Sequence, residues 1–339
     1  MNVGIGIPAS HQGVYLPNPF AGPAELIQFT RLAEQLGFYS GWVLDFMTPT
    51  ETRLKTRNTN QEWHEAMVSL SFLAAYTNSI KLGTATIVLP TRDPIILAKQ
   101  AATLDVLSKG RFLLGIGLGA SRSEFEMVKP KDKNIHRGKL LLESIEAMHL
   151  LFTQDNVTFN GEYIQFNNLS LSPKPFQNPF GFYISGKTPD TPRRVANWGN
   201  GWLLSRADPR TVGERVEELY PYLEKAGRDR SEIDLVVTKG LSIGKTHKDA
   251  VNNFYNSMLP ERMNILASQM GFKGNPSKEK IYEQNLIGTP EEIQQQLINI
   301  QRDGVDHCVI FYFAVNEYEQ MLEQTQWFGE EILPIWHSN

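Results

Sequence analysis

Eight short apolar runs alternate along the chain with segments whose apolar residues recur at helical spacing. Such alternation is typical of βαβ units that build a parallel sheet. Eight units without a low-complexity linker favour a (β/α)8 TIM barrel over a doubly wound sheet, and we expect one domain over residues 1–339. The runs are Val3 to Ile7, Gly41 to Leu44, Lys81 to Leu89, Phe112 to Gly117, Phe182 to Ser185, Trp202 to Leu204, Leu235 to Thr238 and Val309 to Phe313.

Two segments do not fit the alternation, and we expect them to be insertions into the barrel. Near 157–166, Asn160-Gly161 lies between β-forming residues, as in a hairpin turn. Near 245–287 the pattern is helical but is broken at Gly274-Asn275-Pro276, which indicates a helical excursion. In a barrel of this kind the residues that follow the strands face the active site, so candidate functional residues belong there.

Composition excludes several classes of partner. The 33 Lys+Arg against 37 Asp+Glu give a net charge of −4, too little positive charge to hold nucleic acid. The longest uncharged apolar stretch, Leu82 to Leu89, is far short of the ~20 residues that span a bilayer. No basic export segment opens the sequence, so a cytoplasmic protein is expected. Cys308 is the only cysteine, and the seven histidines form no metal-binding motif.

Three candidate binding positions lie at or near the ends of the second, third and fourth runs. Gly115-Ile116-Gly117-Leu118-Gly119-Ala120 allows close approach of backbone N–H groups to a phosphate or a flavin ring, although a structural turn explains it equally well. Gly83-Thr84-Ala85-Thr86 permits a bulge under a flat ligand or simply packs well. Asp45 ends the second run, where it can bind a ring or cap a backbone amide.

A second candidate binding segment follows the fifth run. Gly186, Lys187 and Thr188, with Thr191 at the start of a helix, combine close approach, charge and hydroxyl groups. This set is suited to a monophosphate, and ordinary helix capping by Thr188 is the alternative.

The sequence resembles the luciferase-like monooxygenase family, which includes bacterial luciferase and F420-dependent reductases. The resemblance spans nearly the whole chain. It rests on Leu82-Gly83-Thr84, Arg92-Asp93-Pro94, the segment from Leu104 to Phe112, Leu114 to Gly117, Glu124-Phe125, Pro173-Lys174-Pro175 with Gln177, and Gly288 to Glu292. It implies a flavin-binding barrel with a non-prolyl cis peptide at Ala85–Thr86 behind the flavin. It further implies cofactor contacts at Leu118, Gly119, Ala120, Gly186, Lys187, Thr188 and Thr191. Luciferase has an arginine where this chain has Leu118, and Lys187 is the expected replacement charge.

One departure from the family concerns acid–base chemistry. Many members have Asp-His where this chain has Asp45-Phe46, so that histidine is absent. The candidate replacements are His11 after the first run, His64 at the start of the second helix, and His136 at the mouth of the fourth unit. Each is placed to reach a cleft, although surface or capping roles are the alternative. His149, His307 and Cys308 are expected to be structural.

The resemblance implies a two-component monooxygenase that uses reduced FMN and O2 to oxidise a small organic substrate. A separate NAD(P)H:flavin reductase would supply the flavin, and a homodimer is expected. Trp63, Phe46, Tyr15, Phe20 and Phe313 are the expected apolar wall, with the segment 245–287 as a lid. One alternative is an F420-dependent hydride-transfer oxidoreductase, whose anionic cofactor tail would use Lys187, Arg193, Arg194 and Arg206. The other is a non-catalytic flavin- or ligand-binding barrel.

Overall fold

The computed structural model describes residues 1–48, 62–119, 122–204, 209–269 and 277–337. The strands are β1 (Asn2–Gly6), β2 (Ser40–Val43), β3 (Lys81–Thr84), β4 (Ile87–Val88), β5 (Phe112–Gly117), β6 (Val157–Asn160), β7 (Gln165–Leu169), β8 (Phe182–Ser185), β9 (Gly199–Leu203), β10 (Asp234–Ile243), β11 (Asn285–Gly288) and β12 (His307–Phe313). The α-helices are α1 (Pro23–Gln35), α2 (Ala66–Ala74), α3 (Pro94–Leu107), α4 (Arg122–Val128), α5 (Arg137–Thr153), α6 (Thr191–Trp198), α7 (Pro209–Ala226), α8 (His247–Asn256), α9 (Leu259–Gln269), α10 (Lys278–Gln284), α11 (Pro290–Arg302), α12 (Tyr318–Glu331) and α13 (Pro334–His337).

The strands form the closed parallel barrel that the alternation predicts. Their order is β1, β2, β3, β5, β8, β9, β10 and β12, and β12 returns to β1 through pairs such as Val3 with Cys308. Two apolar layers result, one inside the barrel and one between the barrel and its helices. The prediction of a TIM barrel is confirmed, and the prediction of one domain stays a prediction.

Sequence patterns set several boundaries correctly. Both ends of β5 and β8 match the predicted ends. Asp93 caps α3 by accepting hydrogen bonds from the amides of Ile95 and Ile96, as its position at the start of the apolar pattern predicts. The hairpin is confirmed: β6 and β7 are antiparallel, and Asn160 is opposite Gln165.

Two predicted elements differ from the structure. The run Lys81 to Leu89 is interrupted at Ala85 and Thr86, which separate β3 from β4. The excursion contains α8, α9 and α10 as expected, but it ends in a strand, β11, that the helical pattern does not predict. The four residues of β11 are too few for their periodicity to separate helix from strand, and pairing with β10 decides the outcome.

Strand β10 changes its neighbour part-way along the barrel wall. Its first residues pair with β9, up to Val236 with Leu203, whereas Gly240 to Ile243 pair with β11 on the same edge. The change follows a β-bulge between Lys239 and Gly240. The excursion therefore places its last strand in the wall, directly beside the barrel mouth.

Several residues of the family motifs hold the helices to the barrel. The Arg111 guanidinium is buried and donates to the carbonyls of Ala74, Thr77 and Ile80 at the end of α2. Asp105 accepts hydrogen bonds from the backbone amide and the side chain of Gln177. These residues satisfy backbone hydrogen-bonding groups at a helix end and in a connecting segment. Their motifs therefore indicate the fold and carry no information about the chemistry.

The amino-terminal end of the barrel interior contains a buried polar group. Ser40 Oγ lies 2.9 Å from His307 Nε2 and accepts a hydrogen bond from Trp42 Nε1 at 2.7 Å. All three side chains are buried. Burial lowers the pKa of His307 to about 3, and the nearby N-terminal ammonium adds to this effect.

We predict that His307 makes the fold sensitive to acid. Its pKa is lower in the folded than in the unfolded chain, so the unfolded chain binds the additional proton once the pH falls below about 6.5. The free energy of unfolding should therefore decrease between pH 6.5 and pH 4, and His307→Gln should reduce that decrease by roughly 3 kcal/mol. Urea unfolding at pH 7 and pH 4 measures both values, with His136→Gln as an exposed control. Equal decreases in the wild type and in His307→Gln would contradict the assignment.

Candidate active site

The parallel register brings the predicted site segments to one end of the barrel. Val43 is opposite Thr84, Ile116 is opposite Ile184, and Ser185 is opposite Leu203. The segments that follow β2, β3, β5 and β8 therefore lie side by side at the carboxyl ends of the strands, where barrel enzymes place their active sites.

The Ala85–Thr86 peptide is cis, as the resemblance predicts, and lies between β3 and β4. Asp45 holds this segment in place. Its Oδ2 accepts a hydrogen bond from the Val88 amide at 3.0 Å, and its Oδ1 accepts one from Arg92 Nη2 at 2.5 Å. Burial raises the pKa of the Asp45 carboxyl, although Arg92 opposes the shift. Asp45 thus positions the segment under a candidate cofactor through two protein contacts.

The glycines of β5 fit against this segment. Thr84 Oγ1 donates to the Gly115 carbonyl at 2.8 Å and accepts from the Gly115 amide at 2.9 Å. A Cβ on Gly115 would lie 1.8 Å from the Thr84 carbonyl oxygen, and one on Gly117 would lie 2.8 Å from Thr86 Oγ1. The glycine-rich run therefore accommodates a neighbouring strand, and this role favours the structural alternative for its first two glycines.

The end of the glycine-rich run reaches the predicted cofactor contacts. Gly119 has φ +77°, a conformation that favours glycine, and a Cβ there would lie 2.7 Å from Val88 Cγ1. The half-buried Leu118 has a carbonyl that accepts a hydrogen bond from Arg137 Nη1 at 3.2 Å. Ala120 lies outside the described residues. A cation from α5 is thus close to the position at which luciferase has an arginine.

The β8–α6 loop, residues 186–190, ends at the start of a helix. Gly186 has φ +151°, and a Cβ there would lie 2.8 Å from Thr191 Oγ1. The hydroxyls of Thr188 and Thr191 are 3.0 Å apart, so Thr188 is not the helix cap proposed as the alternative. The cap position belongs to Asp190, whose side chain caps no amide. Lys187 and Thr188 are exposed at this helix start.

The three candidate histidines lie in different surroundings. His11 is buried, and it lies in the loop that follows β1. His64 is half-buried before α2, and its backbone bonds to Ala9 and to the Ser10 hydroxyl, in the loop that also carries His11. His136 is exposed, and its Nδ1 accepts the Lys139 amide at 3.2 Å, which makes it the cap of α5. The structure thus brings His11 and His64 to neighbouring loops and gives His136 the capping role.

Aromatic side chains line the mouth, but not all those expected. The ring centroids of Phe46 and Trp63 are 4.7 Å apart, and Tyr15 joins the apolar layer inside the barrel. The expectation for Phe20 and Phe313 is wrong, because both belong to the layer between the barrel and the helices. Regular alternation would put Phe313 on the same face as Phe311. The register shift at Phe311, where Lys239 is opposite Ile310 and Gly240 is opposite Tyr312, reverses the alternation, so Phe311 faces inward and Phe313 outward.

The excursion covers the mouth from one side. Phe254 of α8 and Leu259 and Met263 of α9 belong to the inner apolar layer. The buried Arg262 donates from Nη2 to the Gly13 carbonyl at 3.0 Å and so ties α9 to the loop after β1. These contacts pack α8 and α9 against the inner apolar layer and the loop after β1, and the role of the excursion as a lid stays a prediction.

Sequence analysis missed three charged residues near the mouth. Arg137 and Arg262 were not singled out, and Glu124 was noted only as part of a family motif. The structure buries Glu124 and makes it the acceptor for the Met47 amide at 2.8 Å. Arginines on amphipathic helices carry no local signal for such contacts, because each contact is with a backbone carbonyl distant in sequence.

Within the described ranges, no cluster of three or more His, Cys, Asp or Glu side chains is arranged to hold a metal ion. Among the helices of those ranges, none combines the length and the apolar character needed to cross a bilayer.

Comparison with known proteins identifies the family. The family model for luciferase-like monooxygenases matches residues 1–307. The chain belongs to the luciferase-like monooxygenase family. A solved structure of the same fold, the monooxygenase RslO1 from Streptomyces bottropensis, has a TM-score of 0.79 and 20% identity, and the match covers 99% of this chain and 100% of that one.

Curated relatives of this luciferase-like protein fall into two groups. An FMNH(2)-dependent dimethylsulfone monooxygenase of Pseudomonas putida is 26% identical over 80% of this chain and 78% of its own length. An F420-dependent glucose-6-phosphate dehydrogenase of Amycolatopsis mediterranei is 25% identical over 92% of this chain and 94% of its own length. These similarities do not separate the two cofactors.

We predict that the mouth depends on the absence of a side chain at position 115. Gly115→Ala would force a Cβ against the Thr84 carbonyl oxygen, and backbone cannot move aside as a side chain does. We expect a loss of about 3 kcal/mol or more in the free energy of unfolding. Gly213→Ala on α7 is the matched control, since its Cβ would meet nothing within 4 Å. The control should gain about 0.5–1 kcal/mol from helix propensity. Chemical denaturation of both variants measures this, and a loss below about 1 kcal/mol at Gly115 would contradict the packing argument.

Proposed function

We propose that this luciferase-like protein is the oxygenase of a two-component monooxygenase that uses reduced FMN and O2 to oxidise a small organic substrate. Family membership and the FMNH(2)-dependent relative support this reading. The protein would receive its flavin from a separate NAD(P)H:flavin reductase. The F420-dependent relative keeps hydride transfer from F420 as the alternative.

The residues of the mouth fit a flavin mononucleotide. The backbone of Ala85 and Thr86, held in place by Asp45, forms a surface against which a flat ring can lie; this surface is called the flavin ledge. The β8–α6 loop offers a helix start whose first turn receives no side-chain cap, beside the hydroxyls of Thr188 and Thr191. Amides at a helix start favour a phosphate. In this proposal Lys187 adds charge to that phosphate site, and Leu118 and Gly119 approach the ring edge.

One observation favours FMN over F420. The carboxylate of Asp190 lies 3.7 Å from Arg193 and 3.6 Å from Arg194, at the start of α6. Arg194 also donates to the Gly138 carbonyl. The two arginines expected to serve an anionic cofactor tail are thus already engaged by protein groups. Arg206, the third, lies outside the described residues. The loop is therefore suited to one phosphate group rather than to an extended anionic tail.

The chain's own residues would bind the flavin and shield it from water, and none of them is proposed to transfer a proton. Reduced FMN, when bound, supplies the electrons that activate O2. Phe46, Trp63 and Tyr15 exclude water from the ring, and the α8–α9 cover limits solvent access. Phe46 replaces the usual histidine, so this position contributes apolar surface and no proton.

Cofactor choice is tested by anaerobic titration of the protein with reduced FMN, reduced F420 and reduced riboflavin. We expect FMN to bind most tightly, because only FMN presents a terminal phosphate monoester to the β8–α6 loop. Lys187→Ala should weaken FMN binding about tenfold and leave riboflavin unchanged, since about 1.4 kcal/mol of charge–phosphate attraction is lost. Lys248→Ala, an exposed charge on α8, is the control. Tighter binding of F420 than of FMN would replace this proposal with hydride transfer.

We further propose a homodimer that forms through α2 and α3. Val68 and Phe72 lie on the outside of α2, Tyr76 follows in the turn after it, and the three side chains are 67%, 39% and 45% exposed. Leu107 at the end of α3 is 71% exposed. The opposite face of α2 is buried, so this helix is apolar all round, a pattern typical of helices covered on both sides. A second copy of the same face covers such a patch symmetrically.

The dimer is tested by placing a charge in the exposed patch. The double variant Val68→Lys with Phe72→Glu should run at the monomer mass of 38.4 kDa in light scattering, whereas the wild type should run at twice that mass. Burying charge at a dimer interface is unfavourable, whereas the same residues tolerate charge in a monomer. Tyr220→Glu, an equally exposed aromatic position on α7, is the control. A wild type that is monomeric at micromolar concentration would refute the proposal.

A further inference from the structure

The ring of His11 lies directly over the inside of the barrel. Its centroid is 5.2 Å from Phe311, an inward-facing residue of β12, 5.7 Å from Tyr15 and 5.9 Å from Tyr312. The ring is only 2% exposed. His11 is thus a polar residue within a cage of three aromatic rings, at the end of the barrel where substrates bind.

The hydrogen bonds of His11 fix which nitrogen carries the proton. Nδ1 lies 3.0 Å from the Ile7 carbonyl oxygen, which only accepts, so Nδ1 is the donor. Nε2 then presents a lone pair. This atom is buried, and the described residues provide no hydrogen-bond donor to it. A buried acceptor without a donor is unfavourable, so a hydrogen-bond donor from outside the described residues is expected at this atom.

The surroundings favour a ligand over a trapped water molecule. A buried water needs two to four polar partners, whereas the neighbours of the ring are aromatic faces and edges. Burial also lowers the pKa of His11 to about 4, so the ring is uncharged at neutral pH and is a weak base. His11 is therefore suited to accepting a hydrogen bond and poorly suited to removing a proton from a substrate.

We propose that Nε2 of His11 selects the substrate, by accepting a hydrogen bond from the O–H or N–H of a neutral, ring-containing molecule that binds against the rings of Tyr15, Phe311 and Tyr312. The lone pair repels carboxylates and sulfonates, which carry no donor. This inference rests on the proposed function, because it places the substrate beside the flavin at the same mouth. It assigns His11 to recognition rather than to the acid–base role considered from the sequence.

A matched pair of fluorinated probes tests the proposal. 4-Fluorophenol and 4-fluorotoluene differ only in a hydroxyl against a methyl group, and 19F NMR titration of the FMN-loaded protein gives both dissociation constants. We expect the phenol to bind about tenfold more tightly. In a protein labelled with 15N-histidine, the Nε2 resonance of His11 should shift on addition of the phenol and not on addition of the toluene.

His11→Asn is the informative variant, because its amide can still donate to the Ile7 carbonyl while the acceptor at Nε2 is lost. It should bind both probes equally, with the toluene affinity within twofold of the wild-type value. His11→Gln, which restores an acceptor near Nε2, should recover part of the preference and provides a second variant should Asn prevent folding. His247→Asn, at an exposed site on α8, is the control and should keep the full preference.

The outcomes separate this inference from the proposed function. FMN binding without any preference for the phenol, a preference that survives in His11→Asn, or an unshifted Nε2 resonance would each overturn the role of His11 and leave the flavin proposal standing. Failure of the protein to bind any reduced flavin would overturn both.

Discussion

The close approach of β3 and β5 at Thr84 and Gly115 is the constraint on which the mouth of this barrel depends. Thr84 exchanges two hydrogen bonds with the Gly115 backbone through its hydroxyl, and this is possible only because Gly115 has no side chain. The same interlock continues at Gly117 and Gly119, which leave room for Thr86 and Val88. The bend that follows Thr84 exposes Ala85 and Thr86 at the strand ends, and Asp45 fixes them from β2. The candidate flavin ledge is thus a product of strand packing, achieved without a flexible loop.

Much of the fold is predictable from the sequence, because each strand or helix is indicated by the spacing of apolar residues within a short stretch of the chain. The position of the Ala85–Thr86 peptide also follows from the resemblance. In contrast, β11 is a strand only because β9 stops pairing with β10 at Val236 and leaves that edge of β10 open beyond it, and no local pattern records an open edge. The motifs carry a similar lesson. Arg111 and Asp105 identify the family, yet both close backbone connections far from the mouth.

The candidate site is less predictable, because its members meet only through the fold. The sequence does not rank His11, His64 and His136 as candidates for the acid–base role. The structure separates them by their surroundings, since an aromatic cage encloses the first and a helix start uses the third as a cap. Arg137 and Arg262 reach the mouth through contacts with distant carbonyl groups, which no spacing rule anticipates. Charge at a barrel mouth is therefore best assigned from contacts rather than from neighbouring sequence.

The pairing of Ile243 with Gly288 has a consequence for how this protein can vary. Both ends of the excursion lie side by side in the wall, where the Gly244 amide also bonds to the Gly288 carbonyl. The intervening chain is a loop whose ends are already joined, and the entropy of closing such a loop grows only with the logarithm of its length, about 0.6 kcal/mol for a doubling. Insertions and deletions between those ends leave the strand register unchanged. The excursion is thus free to lengthen or shorten over evolution while the segment Ala85–Thr86 on the opposite wall stays fixed.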